Sequence, residues 1–289
     1  MRLAELAQKK FAVTAEIGPP KGVDIQEMLH DAELLRGKVD AINVTDQQSS
    51  VMRLGSLVTC ALLKQKGLEP VFQVTCRDRN RIALQSDLLS AYVMGVENVL
   101  CLTGDYVGLG DHPQAKPVFD LDSVGLIQAA RMLEQGKDMA GKELLGSPRF
   151  CLGAVVPPAA DPLEPQIIKM EKKVKAGAEF FQTQAVYEPR KFAEFMKAVA
   201  HLKVPVMAGI VLIKSAGMAR FMNKNVAGVF VPENLIAEME KTAAPDRPKK
   251  SIEIAARLIN EMKPMCQGVH IMAIGWEKKV PEVLEAAGL

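Results

Sequence analysis

The chain has 289 residues, 48% of them hydrophobic and 24% charged, which is ample for a folded domain with a large core. A formal net charge of +2, with basic residues in no run longer than a pair, excludes the massed positive face of a nucleic-acid binder. No apolar run is long enough to span a bilayer.

Short apolar runs with strand character fall at 11–17, 41–45, 70–75, 98–102, 150–155, 179–184, 205–210 and 268–272. Between them the spacing of apolar residues is three and four. In 24–35, for example, Ile25, Met28, Leu29, Ala32 and Leu35 share one helical face. Helices are expected in the same way at 80–94, 123–134, 164–176, 189–200 and 251–262. Pro189 suits a first helical turn, and Gly177 suits a helix end. Unbroken alternation of strand and helix implies parallel pairing, and eight units imply a closed (β/α)8 barrel in one domain, 1–289. An open doubly wound sheet is the competitor. It is disfavoured because the stretch after the first strand, Ile17-Gly18-Pro19-Pro20-Lys21-Gly22, is not a Gly-x-Gly-x-x-Gly turn. Two segments exceed a minimal barrel: a long loop at 104–121 and about three helical pieces at 215–263.

Four strand-like runs end in polar residues two apart: Thr14 and Glu16, Asn43 and Thr45, Gln73 and Thr75, Gln182 and Gln184. That spacing puts both members of a pair on one face of a strand. Polar groups at the carboxyl ends of barrel strands mark a site, whereas ordinary alternation in half-exposed strands is the plainer reading. Glu16 sits among Phe11, Val13, Ala15 and Ile17. A carboxyl held partly out of water is the kind of group that serves as a general acid near neutral pH; a salt-bridged carboxylate is the alternative. In Leu102-Thr103-Gly104-Asp105 a strand runs into a glycine that allows close backbone approach, with Asp105 at the barrel mouth or capping its own turn. Gln182 and Gln184 are amides on a core-like strand and need partners, from a flat heterocycle or from other side chains.

The remaining groups are less informative. Lys172 and Lys173 read as solvated helix positions, and His270 as a satisfied core residue. Five cysteines, an odd number without a Cys-x-x-Cys pair, argue against zinc or a disulfide framework; no histidine pair has ligand spacing, so no metal is expected. The opening MRLAELAQKKF lacks an apolar signal segment, and a reducing cytoplasm is the expected location.

Taken in order, Glu16, Thr45, Thr75-Cys76, Leu102-Thr103-Gly104-Asp105, the run Lys172-Lys173-Val174-Lys175-Ala176-Gly177-Ala178 and Thr183-Gln184 resemble the methylenetetrahydrofolate reductase family over about residues 8–287. The resemblance implies a flavin-bearing barrel that reduces 5,10-methylenetetrahydrofolate to 5-methyltetrahydrofolate in one-carbon metabolism and methionine biosynthesis. It implies FAD, with FMN as the alternative, and a folate substrate. Glu16 then matches the general acid, Asp105 the carboxylate that holds the pterin and tunes the flavin, and Gln184 a folate contact. Thr45, Gln73, Thr103, Gly104, Asp105, Phe119, Asp120 and Lys173 match cofactor contacts, Lys173 near the phosphate side.

The chain departs from the family pattern at Gln73, where histidine is frequent, and near Val156 and Trp276. It also departs after the seventh strand, where Lys214-Ser215-Ala216-Gly217 has no aromatic before Phe221. The electron donor is therefore expected to be NAD(P)H or a partner electron-transfer subunit, and an oligomer is expected, with neither nucleic acid nor membrane as partner. A corrinoid-linked pterin methyltransferase barrel and a non-catalytic folate-binding subunit are the competing functions.

Overall fold

The eight apolar runs form strands because their β-branched and aromatic residues fit a sheet covered on both faces. In the computed structural model, which describes residues 1–289, they are β1 (Ala12–Ile17), β2 (Ala41–Val44), β3 (Pro70–Thr75), β4 (Asn98–Leu102), β5 (Cys151–Val156), β6 (Phe180–Ala185), β7 (Val206–Val211) and β8 (Gly268–Met272). All neighbours pair in parallel in chain order, and β8 closes on β1 with Thr14 opposite His270. The expected (β/α)8 barrel is therefore the observed fold.

The helices are α1 (Leu3–Ala7), α2 (Gln26–Leu34), α3 (Ser56–Gln65), α4 (Arg81–Val93), α5 (Ser123–Glu134), α6 (Glu164–Ala176), α7 (Pro189–Val199), α8 (Ala216–Asn225), α9 (Glu233–Lys241), α10 (Arg247–Met262) and α11 (Val280–Ala286). Three of them, α4, α5 and α8, start on side-chain caps: Asn80 accepts from the amides of Ile82 and Ala83, Asp122 from Gly125, and Ser215 from Met218. Gly177 ends α6 at φ +118°, and a Cβ there would lie 2.5 Å from Arg131 Nε. The 215–263 segment holds α8, α9 and α10 as expected. Helix α3 breaks the apolar period because Ser56 and Thr59 join Cys60 and Leu63 on its buried face. No helix is long and apolar enough to cross a membrane.

The strand periodicity of two divides the core. Val13, Ala15 and Ile17 face the helices in a cluster of 66 buried residues, whereas Ala12 belongs to a cluster of ten inside the barrel. Helix α1 plugs the amino-terminal end of the barrel, adding Leu3, Ala4 and Ala7 to Val71, Leu100, Phe180 and Met207. Asn98 pins the plug: its side chain accepts from the Leu3 amide at 2.9 Å and donates to the Met1 carbonyl at 2.7 Å. Gly153 makes room for Phe180, whose ring would lie 2.2 Å from a Cβ there.

Candidate active site at the barrel mouth

Above the apolar floor the barrel interior becomes polar, and the strand-end pairs account for the change. Glu16 stands near the end of β1 with its side chain 12% exposed. Gln73 Nε2 donates to Glu16 Oε1 at 2.9 Å, and His270 Nε2 lies 3.4 Å from the same oxygen. One step deeper, Gln182 donates to Thr14 Oγ1 and Asn43 Oδ1, both at 3.1 Å, and accepts from Asn43 Nδ2 at 2.7 Å. Thr14 Oγ1 is 2.9 Å from His270 Nδ1. With both Gln182 hydrogens used, the Thr14 hydroxyl donates to Nδ1, and a neutral His270 carries its proton on Nε2, toward Glu16. The deep members of the pairs thus satisfy one another, and through His270 they back the acid.

Beside Glu16 opens a cavity of about 860 Å³ between the loops after β1, β2 and β8. Thr45 lies just past β2, is 2% exposed, and its Oγ1 has no hydrogen-bond partner. Arg53 Nε and Asp31 Oδ1, on the same cavity wall, are also buried without a hydrogen bond, Asp31 Oδ1 lying 3.9 Å from Lys278 Nζ. Burial raises the pKa of Asp31, with Lys278 opposing the shift. Buried polar atoms normally make hydrogen bonds, so three that make none around one cavity suit a ligand able to supply the partners. Trp276 lines the same cavity; Lys214 Nζ sits 5.3 Å from its ring centroid and donates to the Ile274 carbonyl.

A second, smaller pocket of about 170 Å³ lies between β4, β5 and α6, lined by Thr103, Ser123, Gln166, Lys169 and Lys173. Thr103 Oγ1 accepts from the Ser123 amide at 3.2 Å. Lys173 is not a solvated helix position: it is 7% exposed and donates to the Val155 carbonyl at 2.7 Å. Burial, reinforced by Lys169, lowers its pKa to about 8. Lys172, its neighbour, is exposed as expected.

The other sequence-expected groups are distributed less simply. Asp105 is exposed at the mouth and Gln184 half-buried at the end of β6. Gly104 has φ +97°, and a Cβ there would come 2.9 Å from Arg77 Cβ, so its glycine serves packing against protein as well as the turn. Phe119 is half-buried at φ +42°. Asp120 is held by Arg81, which donates from Nε and Nη2 at 2.9 Å, lowering its pKa to about 2. Gln73, expected among cofactor contacts, spends its amide nitrogen on Glu16. Of the residues matched to cofactor contacts, Thr45 lines the larger cavity, and Thr103 and Lys173 line the smaller one.

Two features escaped the sequence. One is Asp46, two residues past β2, whose fully buried side chain accepts from the Thr75 amide and hydroxyl and from Arg79 Nη1 at 2.7 Å. Its signal was a charged residue two positions after the apolar strand that ends at Val44. His270 is the other, and strand position alone could not reveal its contact with Glu16. All five cysteines are free and buried, and burial pushes the thiols of Cys76 and Cys151 up to about 12 and about 11.

The family model described as methylenetetrahydrofolate reductase matches residues 2–288. Methylenetetrahydrofolate reductase 2 of Schizosaccharomyces pombe is 26% identical over 248 residues, which is 81% of this chain and 38% of that protein. A probable methylenetetrahydrofolate reductase (NADPH) of Caenorhabditis elegans is 22% identical, over 86% of this chain and 36% of that protein. The chain thus spans under two fifths of the length of these relatives. Among solved structures, a protein from Clostridium thermocellum described as binding two copies of 5-methyl-5,6,7,8-tetrahydrofolic acid superimposes with a TM-score of 0.65 at 15% identity, covering 99% of this chain and 98% of that one. A 2,3-dimethylmalate lyase superimposes at 0.52 with 12% identity, covering 100% of this chain and 87% of that one. At these identities the likeness is one of fold.

Proposed function

The chain belongs to the methylenetetrahydrofolate reductase family, and we propose that it reduces 5,10-methylenetetrahydrofolate to 5-methyltetrahydrofolate with a bound flavin. The observation that carries this reading is the Glu16 carboxylate on the wall of a large cavity, held on one oxygen by Gln73 and approached on that same oxygen by His270.

Gln73 Nε2 only donates, so Glu16 Oε1 is an acceptor and the transferable proton belongs on Oε2. Glu16 gives that proton to the folate nitrogen as the five-membered ring opens to an iminium carbon. Asp105 meets the polar edge of the pterin, and Gln184 offers an amide to the same ring system. His270, oriented by Thr14, sets its Nε2 beside Glu16 Oε1 and keeps that oxygen an acceptor, so that Oε2 is left to take up the next proton from solvent. A bound flavin supplies the hydride, so that one hydride and one proton complete the reduction.

The unpartnered Thr45 Oγ1, the Thr103–Asp105 turn and the buried Lys173 fit such a cofactor. FAD is the expected form, with Lys173 and Lys169 toward its phosphates. The electron donor is NAD(P)H or a partner electron-transfer subunit. The second fits the loop after β7, where the first aromatic, Phe221, is 61% exposed on α8. The test is the visible spectrum of the purified chain, followed by NADH and then folate. A yellow protein that makes 5-methyltetrahydrofolate supports the reading, and a colourless one without turnover sinks it. Rapid bleaching by NADH alone removes the need for an electron-transfer subunit.

A further inference from the structure

Arg77 follows β3 and is 2% exposed, the largest of the fully buried side chains. A guanidinium at such depth needs partners, and four of its five N–H groups have one within the protein. Asp78 takes Nε and Nη2 at 2.7–3.0 Å. Nη1 donates to Ser50 Oγ at 3.0 Å, and Nη2 donates to the Gln47 carbonyl at 3.2 Å.

Arginine only donates, which sets the direction of the next bond. Ser50 Oγ accepts from Arg77, so its one proton is free for the carbonyls of Tyr106 at 3.1 Å and Asp105 at 3.4 Å. The chain of donation therefore runs from Arg77 through Ser50 into the turn that carries Asp105.

The segment supplying Ser50 is strained. Gln47, Ser49 and Ser50 have φ of +50°, +56° and +58°, and none is glycine. Left-handed residues of this kind persist where surrounding contacts over-determine them, and they gather at functional sites. The contacts here leave no slack. A Cβ on Gly104 would lie 2.9 Å from Arg77 Cβ, and a Cβ on Gly110 would lie 1.8 Å from the Ser50 carbonyl oxygen. Val118 N also donates to the Arg77 carbonyl at 2.8 Å, so both ends of the 104–121 loop rest on this one residue and its serine.

We propose that Arg77 and Ser50 are positioning residues for Asp105, holding its turn by the backbone so that the exposed carboxylate is set before a ligand arrives. The role of Asp105 rests on the proposed function; the hold on the turn does not. The experiment has two parts, both on the flavin-loaded chain. Amide hydrogen exchange in Ser50→Ala is expected to accelerate about tenfold at residues 104–109 and to stay unchanged in β1. Unchanged exchange at 104–109 overturns the inference whatever the turnover. In the second part, oxidation of 5-methyltetrahydrofolate with a quinone acceptor is measured for Ser50→Ala and Arg77→Lys, each alone and with Asp105→Asn. A loss in kcat/KM of about tenfold in the parent should shrink to under about twofold in the Asp105→Asn background, because a residue acting through Asp105 is coupled to it. Equal losses in both backgrounds overturn the positioning role and leave a general loosening. If Arg77→Lys does not fold, Ser50→Ala carries both parts. A parent chain with no folate turnover but accelerated exchange overturns the proposed function and not the hold on the turn.

Discussion

The two ends of this barrel are built from the same eight strands and treat polar groups in opposite ways. At the floor, Asn98 spends its amide on Leu3, Met1 and Glu69, and the Ala4 amide finds the Cys151 sulfur. At the mouth, Thr45, Arg53 and Asp31 each keep a buried atom without a hydrogen bond, and Gln47, Ser49, Ser50 and Phe119 adopt left-handed backbone. The floor is built for closure, with one left-handed residue, Lys203, and one buried nitrogen without a hydrogen bond, Arg2 Nε, which lies 3.3 Å from Glu5 Oε1. The mouth holds unsatisfied groups and strain that a folded chain tolerates only because the rest of the barrel is stable. What sets the mouth apart is that three buried atoms without a hydrogen bond gather on the wall of one cavity there.

That contrast makes opposite predictions for the two ends. The largest effect belongs to Glu16→Gln, which should cut folate turnover by roughly 10²–10⁴-fold, the usual span for a general acid, while the flavin spectrum and melting temperature hold. Turnover within a few-fold of the parent would remove Glu16 as the acid. At the floor, Asn98→Ala leaves the Leu3 amide and Met1 carbonyl unpaired and should lower stability by about 1–3 kcal/mol in urea titration. Its kcat should not move; a matching loss of turnover would show that the ends are coupled.

Lys173 gives a pH test. Its folded pKa is about 8 against an ordinary value of 10.5, so between those limits the unfolded chain binds a proton that the folded chain has lost. Stability should therefore rise with pH from about 8 to 10.5, and Lys173→Met should flatten that rise. The smallest effect is expected for Thr45→Val. An orphaned buried hydroxyl is a cost to folding, so the unfolding free energy should hold or rise, by up to about 1 kcal/mol. Flavin affinity should fall a few-fold, read by fluorescence titration. A loss of stability would mean the hydroxyl has a partner within the protein.

The barrel was legible because its signals are local. An apolar run, a three-and-four spacing, Pro189 at a helix start and Gly177 at a helix end each report on a few adjacent residues. Helix α3 was missed where that signal fails, since Ser56 and Thr59 occupy its buried face in place of aliphatic residues. Helix α1, at five residues, is too short to show a period and is held by the barrel it plugs. The strand-end pairs fall at the carboxyl-terminal end of the barrel, yet spacing alone could not say which member faces the cavity. Gln182 and Gln184 look alike in the sequence; one closes a buried network and the other ends half-buried at the rim.

The sequence by itself determined the order of elements, the parallel closure and the positions where polar groups interrupt apolar strands, because period and composition act over one or two turns of chain. Only the tertiary structure decided that Gln73 and His270 meet on one oxygen of Glu16, across 57 and 254 residues of chain, that Lys173 is buried, and that Arg77 reaches Asp105 through Ser50. Such pairings depend on barrel closure and register. These bring distant residues within 3 Å or so by geometry that no local pattern encodes.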